Sequence, residues 1–132
     1  MVIKLFSPED IVFNPYRILI GSIGLNMEKD CCLVSPVYKS FGVNEKNNAF
    51  FIFNLLKRSK TLMIYKTISN KGVRNNLNLK AFKKLTFKLP SLKEQTKIAN
   101  FLKLLDQRIR IEQALLNNYQ TQQKYFFNQL FF

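Results

Sequence analysis

The sequence predicts a mixed α+β protein, with a small domain over residues 1–90 and a long C-terminal coiled-coil helix over residues 91–132. Three observations predict it. Short apolar runs broken by Pro, Gly and Asn fill residues 1–45. Apolar positions at helical spacing follow over residues 48–69. A heptad seam then runs from Ile98 to Leu130.

Val2–Phe6, Ile11–Phe13, Ile18–Ile20 and Cys31–Val34 are apolar runs of strand length. Pro8, Asn14-Pro15, Gly21 to Gly24 and Ser35-Pro36 punctuate them, so this region reads as β-rich. Over residues 48–69, Phe51, Leu55, Leu62, Tyr65 and Ile68 can face a core while Lys57, Arg58, Lys60 and Lys66 face outward. Ser69–Asn76 is polar, with Gly72 at its centre, and reads as a loop. Asn78 is a suitable cap for a short helical turn, Leu79–Phe82. Leu85, Phe87 and Leu89 alternate with Thr86 and Lys88, which predicts a strand at Lys84–Leu89.

Pro90 ends that segment. Ser91 and Glu94 then have the spacing of a capping box, with Ser91 as N-cap. Beyond it, Ile98, Leu102, Leu105, Ile109, Glu112, Leu116, Tyr119, Gln123, Phe126 and Leu130 alternate spacings of four and three. That is a coiled-coil seam with Glu112 and Gln123 as polar positions able to fix register. A helix from 92 to about 130 would be roughly 57 Å long, too long to bury against the small domain. A partner helix is expected, through Ile98, Leu102, Leu105, Ile109, Leu116, Tyr119, Phe126 and Leu130. The alternative is a hairpin folded back at Asn117-Asn118.

The formal net charge is +13. Between Glu45 and Glu94 there are twelve Lys or Arg and no acid. Such uncompensated charge repels itself in a compact fold, so a polyanionic partner is expected, with nucleic acid ahead of an acidic membrane surface. Lys57, Arg58, Lys60, Lys66, Lys71 and Arg74 are the candidate phosphate contacts. Arg74, Asn75 and Asn76, with Arg17, are the candidate base readers, because Arg suits guanine and Asn suits adenine in the major groove.

Catalysis has little to stand on. The chain has no His, so the commonest general base and transition-metal ligand is missing. The acids form no divalent-ion cluster. Gly21-Ser22-Ile23-Gly24 has neither the spacing nor the Lys of a phosphate-binding loop. Asn14-Pro15-Tyr16 partly matches the Asn-Pro-Pro-Tyr motif of amino-methyltransferases but lacks its second Pro. Cys31 and Cys32 are adjacent and cannot make an ordinary disulfide staple. No apolar run reaches the roughly 18 residues of a membrane span, and the N-terminus lacks the form of a signal peptide. A cytoplasmic protein without metal or cofactor is expected.

The join from Leu89 to Ile109 resembles specificity subunits of type I restriction–modification systems. Leu89, Pro90, Leu92, Glu94, Gln95, Ile98, Ala99, Phe101, Leu102, Leu105, Asp106 and Ile109 carry the resemblance. Pro8 to Arg17 with Gly21 to Gly24, Val34 to Phe41, residues 49–69, and Gly72 to Asn75 are similar to further segments of that family. Glu9 stands where the family usually has Gly. The resemblance implies the latter part of one DNA target-recognition domain, incomplete at its N-terminus, plus one conserved spacer helix. It implies sequence-specific recognition of double-stranded DNA for partner methyltransferase and restriction subunits. S-adenosylmethionine, ATP and magnesium would belong to those partners. The helix would pair antiparallel with a second specificity chain or a second copy. The competing expectation is a basic protein that binds nucleic acid without sequence preference and uses its coiled coil to oligomerise. A peripheral membrane protein is a further alternative.

Overall fold

The computed structural model describes residues 4–72 and 76–131. The chain divides into two units, Met1–Thr96 and Lys97–Phe132. The first is mixed α+β, and the second is helical throughout its described residues.

In the first unit, β1 (Lys4–Phe6) pairs antiparallel with β4 (Cys32–Val34). β2 (Ile11–Phe13) lies between β3 (Ile23–Leu25) and β5 (Lys39–Phe41), antiparallel to both. Ile11 and Phe13 point inward and Val12 is only half-buried, the alternation a strand imposes. Two of these strands escape the sequence reading. β3 contains Gly24, which reads as punctuation, and β5 follows directly on the Ser35-Pro36 turn.

Ile18–Ile20 is a 3-10 turn, not the expected strand. Asn14 Oδ1 accepts from the Tyr16 N–H at 2.9 Å, and the Asn14 carbonyl accepts from the Arg17 N–H. The chain therefore curls before Ile18. Gly21, at φ 87°, closes the turn, where a residue without Cβ adopts the left-handed conformation at no steric cost. Ile18 is buried and Ile20 is 81% exposed.

The helical stretch expected over 48–69 is two helices, α1 (Ala49–Lys57) and α2 (Ser59–Ile68), broken at an extended Arg58. Helical periodicity alone cannot reveal this break, because α2 side chains satisfy the carbonyls α1 leaves free. Thr61 Oγ1 donates to the Leu55 carbonyl at 2.8 Å, and the Tyr65 hydroxyl donates to the Leu56 carbonyl at 2.8 Å. Burial pushes the Tyr65 phenol pKa well above its ordinary value, so it stays a donor. Asn48 caps α1 by accepting from the Phe51 N–H at 2.9 Å.

Two short strands, β6 (Ser69–Asn70) and β7 (Asn76–Leu77), replace part of the expected loop and pair antiparallel. Asn78 caps α3 (Leu79–Lys83), as its sequence position predicts, accepting from the Lys80 and Ala81 N–H groups. Lys84–Leu89 is not a strand. Lys84 and Leu85 close back on α3 through hydrogen bonds to Ala81 and Phe82. Leu85 and Phe87 are half-buried, so their alternation records burial, but no described strand pairs with them.

The core gathers around Phe13, Ile18, Tyr65 and Leu77, with Phe41, Leu62, Ile68 and Phe82 packed against them. The Phe82 ring centroid lies 5.1 Å from Phe13, 6.1 Å from Phe41 and 5.9 Å from Tyr65, separations at which tilted rings attract.

α4 (Leu92–Phe131) begins where the capping pattern predicts, with Ser91 Oγ accepting from the Glu94 N–H at 3.4 Å. Its first turn belongs to the first unit, and Gln95 holds it there. The Gln95 carboxamide is buried, accepts from the Asn48 N–H at 3.0 Å, and donates to Asn47 Oδ1 at 3.0 Å and the Pro90 carbonyl at 2.9 Å. From Lys97 onward the helix is continuous through Asn117-Asn118, so the hairpin alternative does not form. Among the described residues, no helix is long and apolar enough to cross a membrane.

Candidate nucleic-acid interface

The β6–β7 ribbon follows from its two faces. Its register pairs Ser69 with Leu77 and Asn70 with Asn76. Side chains alternate across a strand, so Ser69 and Leu77 share one face while Asn70 and Asn76 share the other. Leu77 is in the core, which fixes the ribbon's orientation and turns the asparagine pair away from the core. The Leu77 N–H bonds the Pro15 carbonyl at 3.0 Å and ties the ribbon to the Asn14–Tyr16 turn.

These turns enclose an open groove of about 540 Å³. The Pro15-Tyr16 turn, the Pro36-Val37 turn, Lys39 of β5, both ribbon asparagines and the start of α3 with Lys80 line it. Tyr16 and Val37 are 51% and 46% exposed there. The groove thus combines two cations, three asparagines (Asn78 being the cap of α3) and apolar surface, the chemistry that phosphates and base edges require.

The structure brings only part of the expected DNA-binding set to this groove. Asn76 lines it, and Lys71 is exposed directly after β6. Arg17 is exposed at the start of the 3-10 turn. Lys57 Nζ lies 4.7 Å over the Phe53 ring, a cation–π contact. Arg58 Nε donates to Thr61 Oγ1 at 3.2 Å, which orients its guanidinium. Lys60 and Lys66 are exposed on α2, but six residues separate them, about 120° around a helix. Arg74 and Asn75 lie outside the described residues.

Sequence reasoning missed Lys39, Lys80, Asn70, Tyr16 and Val37. Three of them, Tyr16, Val37 and Lys39, sit in segments already singled out by resemblance, which was the available signal. Asn14 is buried and its carboxamide oxygen is taken by Tyr16, so Asn14-Pro15-Tyr16 is a structural turn and not a base clamp. Among the described residues, no three Cys, Asp or Glu side chains are grouped to hold a metal ion.

The second unit exposes its seam. Ile98, Leu105, Ile109, Leu116, Tyr119, Phe126 and Leu130 are 42–77% exposed, and Leu102 is half-buried. Glu112 forms an ion pair with Arg108 at 2.7 Å along the helix. A second apolar stripe, Phe101, Leu104, Ile111 and Leu115, is also exposed.

A family model described as "Type I restriction modification DNA specificity domain" matches residues 4–120. No curated protein matches the chain. The matched domain is the non-catalytic DNA-recognition component of type I restriction–modification.

Proposed function

The chain belongs to the family of type I restriction modification DNA specificity domains, and from that premise we propose that it recognises one DNA sequence and directs partner methyltransferase and restriction subunits to it. The match over residues 4–120 is the observation that carries this reading. The acid-free run of basic residues between Glu45 and Glu94 supports it. Lys57, Arg58, Lys60, Lys66 and Lys71 supply phosphate contacts, and Arg17 and Asn76 face the bases. α4 pairs through its seam with the helix of a second specificity chain or a second copy. Two such chains would bring two recognition units to one DNA. Methylation and cleavage, with their S-adenosylmethionine, ATP and magnesium, belong to the partner subunits.

The test is binding of the full chain to a randomised duplex pool, followed by anisotropy on the enriched sequence. Affinity should fall as salt rises from roughly 50 to 200 mM, with a log–log slope of about −3 to −5 for four or five neutralised phosphates. The enriched duplex should bind at least about 10³-fold more tightly than an unrelated one. A steep salt slope with no enriched sequence would instead identify a non-specific basic protein. A flat slope, or vesicle binding that duplex DNA fails to compete away, would refute the DNA reading.

A further inference from the structure

The described asparagines of the first unit divide into two groups. Asn14, Asn26, Asn44, Asn47, Asn48, Asn54 and Asn78 all commit their carboxamides to turns, caps or loop closure. Asn70 and Asn76 do not: among the described residues, neither carboxamide has a hydrogen-bond partner. Yet these two are directly opposed on one face of the β6–β7 ribbon and line the groove beside Lys39 and Lys80. Two carboxamides held side by side, with no hydrogen-bond partner among the described residues, form a candidate recognition surface.

We propose that the β6–β7 ribbon enters the DNA major groove and that Asn70 and Asn76 together read one A·T base pair, while Lys39 and Lys80 hold flanking phosphates. The proposal rests on the DNA-recognition reading above and adds the base-pair class and the residues that determine it. A two-stranded ribbon fits the major groove, which is about 12 Å wide. Opposed Cβ atoms on such a ribbon lie about 5 Å apart, so both carboxamides reach a single pair. One amide accepts from adenine N6 and donates to N7, the bidentate contact Asn makes with adenine. The other donates to thymine O4. Tyr16 and Val37, half-exposed in the same groove, offer apolar surface to the thymine methyl. A G·C pair presents O6 in place of the N6 donor and has no methyl, so the same arrangement leaves polar groups unpaired against it.

The experiment is selection from a randomised duplex pool by the full chain and by Asn70→Ala, Asn76→Ala and the Lys39→Ala, Lys80→Ala double variant. The unaltered chain should enrich a sequence with at least one fixed A·T pair. Each asparagine variant should lose that position alone and bind the enriched duplex roughly five- to 150-fold more weakly. The double lysine variant should enrich the same sequence, bind all duplexes more weakly, and lower the salt slope by about two. Replacing the fixed adenine with 7-deaza-adenine removes N7 and should weaken the unaltered chain. This last arm needs no variant, so a failure of Asn76→Ala to fold does not obstruct it. If the asparagine variants weaken all duplexes equally, or 7-deaza-adenine changes nothing, base reading by the ribbon is wrong while DNA recognition stands. If the unaltered chain enriches no sequence, both fall.

Discussion

Gln95→Ala should destabilise the first unit by about 2–4 kcal/mol. The side chain is 1% exposed and uses all its hydrogen-bonding capacity but one lone pair. Its oxygen satisfies the Asn48 N–H, at the N-cap that starts α1. Its two N–H groups satisfy Asn47 and Pro90. A net 0.5–1.5 kcal/mol per bond gives about 1.5–4.5 kcal/mol for three. The Asn48 N–H and Pro90 carbonyl are only partly buried, so water relieves some of the loss and trims the upper end. In a unit of this size that is a fall in Tm of roughly 10–25 °C. Urea unfolding followed by near-ultraviolet circular dichroism reads the tertiary contacts of the first unit without the dominating signal of the long helix. Gln95→Met, similar in length and without hydrogen bonds, should lose most of the same energy and so separate bonding from packing. Both variants lying within 0.5 kcal/mol of the unaltered chain would refute the argument.

Glu9 has φ 63°, a left-handed conformation that costs a residue with a Cβ about 1 kcal/mol. Glu9→Gly, the residue the related segment usually carries there, should therefore raise stability by about 0.5–1 kcal/mol in the same urea titration, and a loss of stability would contradict it. Leu105→Lys with Ile109→Lys should shift any helix-paired complex toward monomer in light scattering, because each seam side chain gains up to roughly 1.5–3 kcal/mol on burial. A pair of charges that leaves the assembly unchanged would show that this seam is not the contact.

The legible parts of the fold are those written locally. Ser91 and Glu94 mark the start of α4, and Asn78 marks α3, because a cap acts on N–H groups two or three residues away. Lys84–Leu89 is misread for the opposite reason. A strand exists only where a ladder partner is available, and partners are set by distant residues. β2 has β3 and β5 beside it, whereas Leu85 and Phe87 are half-buried with no described neighbouring strand, and Leu89 is exposed. The ribbon is illegible because Ser69, Asn70 and Asn76 are polar, and Leu77 alone records that one face is buried.

Charge follows the same rule in the candidate site. Its excess is plain in composition, but its grouping is not. Lys39 and Lys80 sit on β5 and α3, far apart in sequence, and only the fold brings them to one groove. The helix shows how a correct local pattern can still be too narrow. The heptad reading selects one seam, yet Phe101, Leu104, Ile111 and Leu115 each directly precede a seam residue and so lie about 100° around the helix from it. A two-helix coil covers only the narrow seam. It would leave this second stripe, 42–64% exposed, in water. The seam substitutions therefore measure one contact face of a helix that is apolar on two.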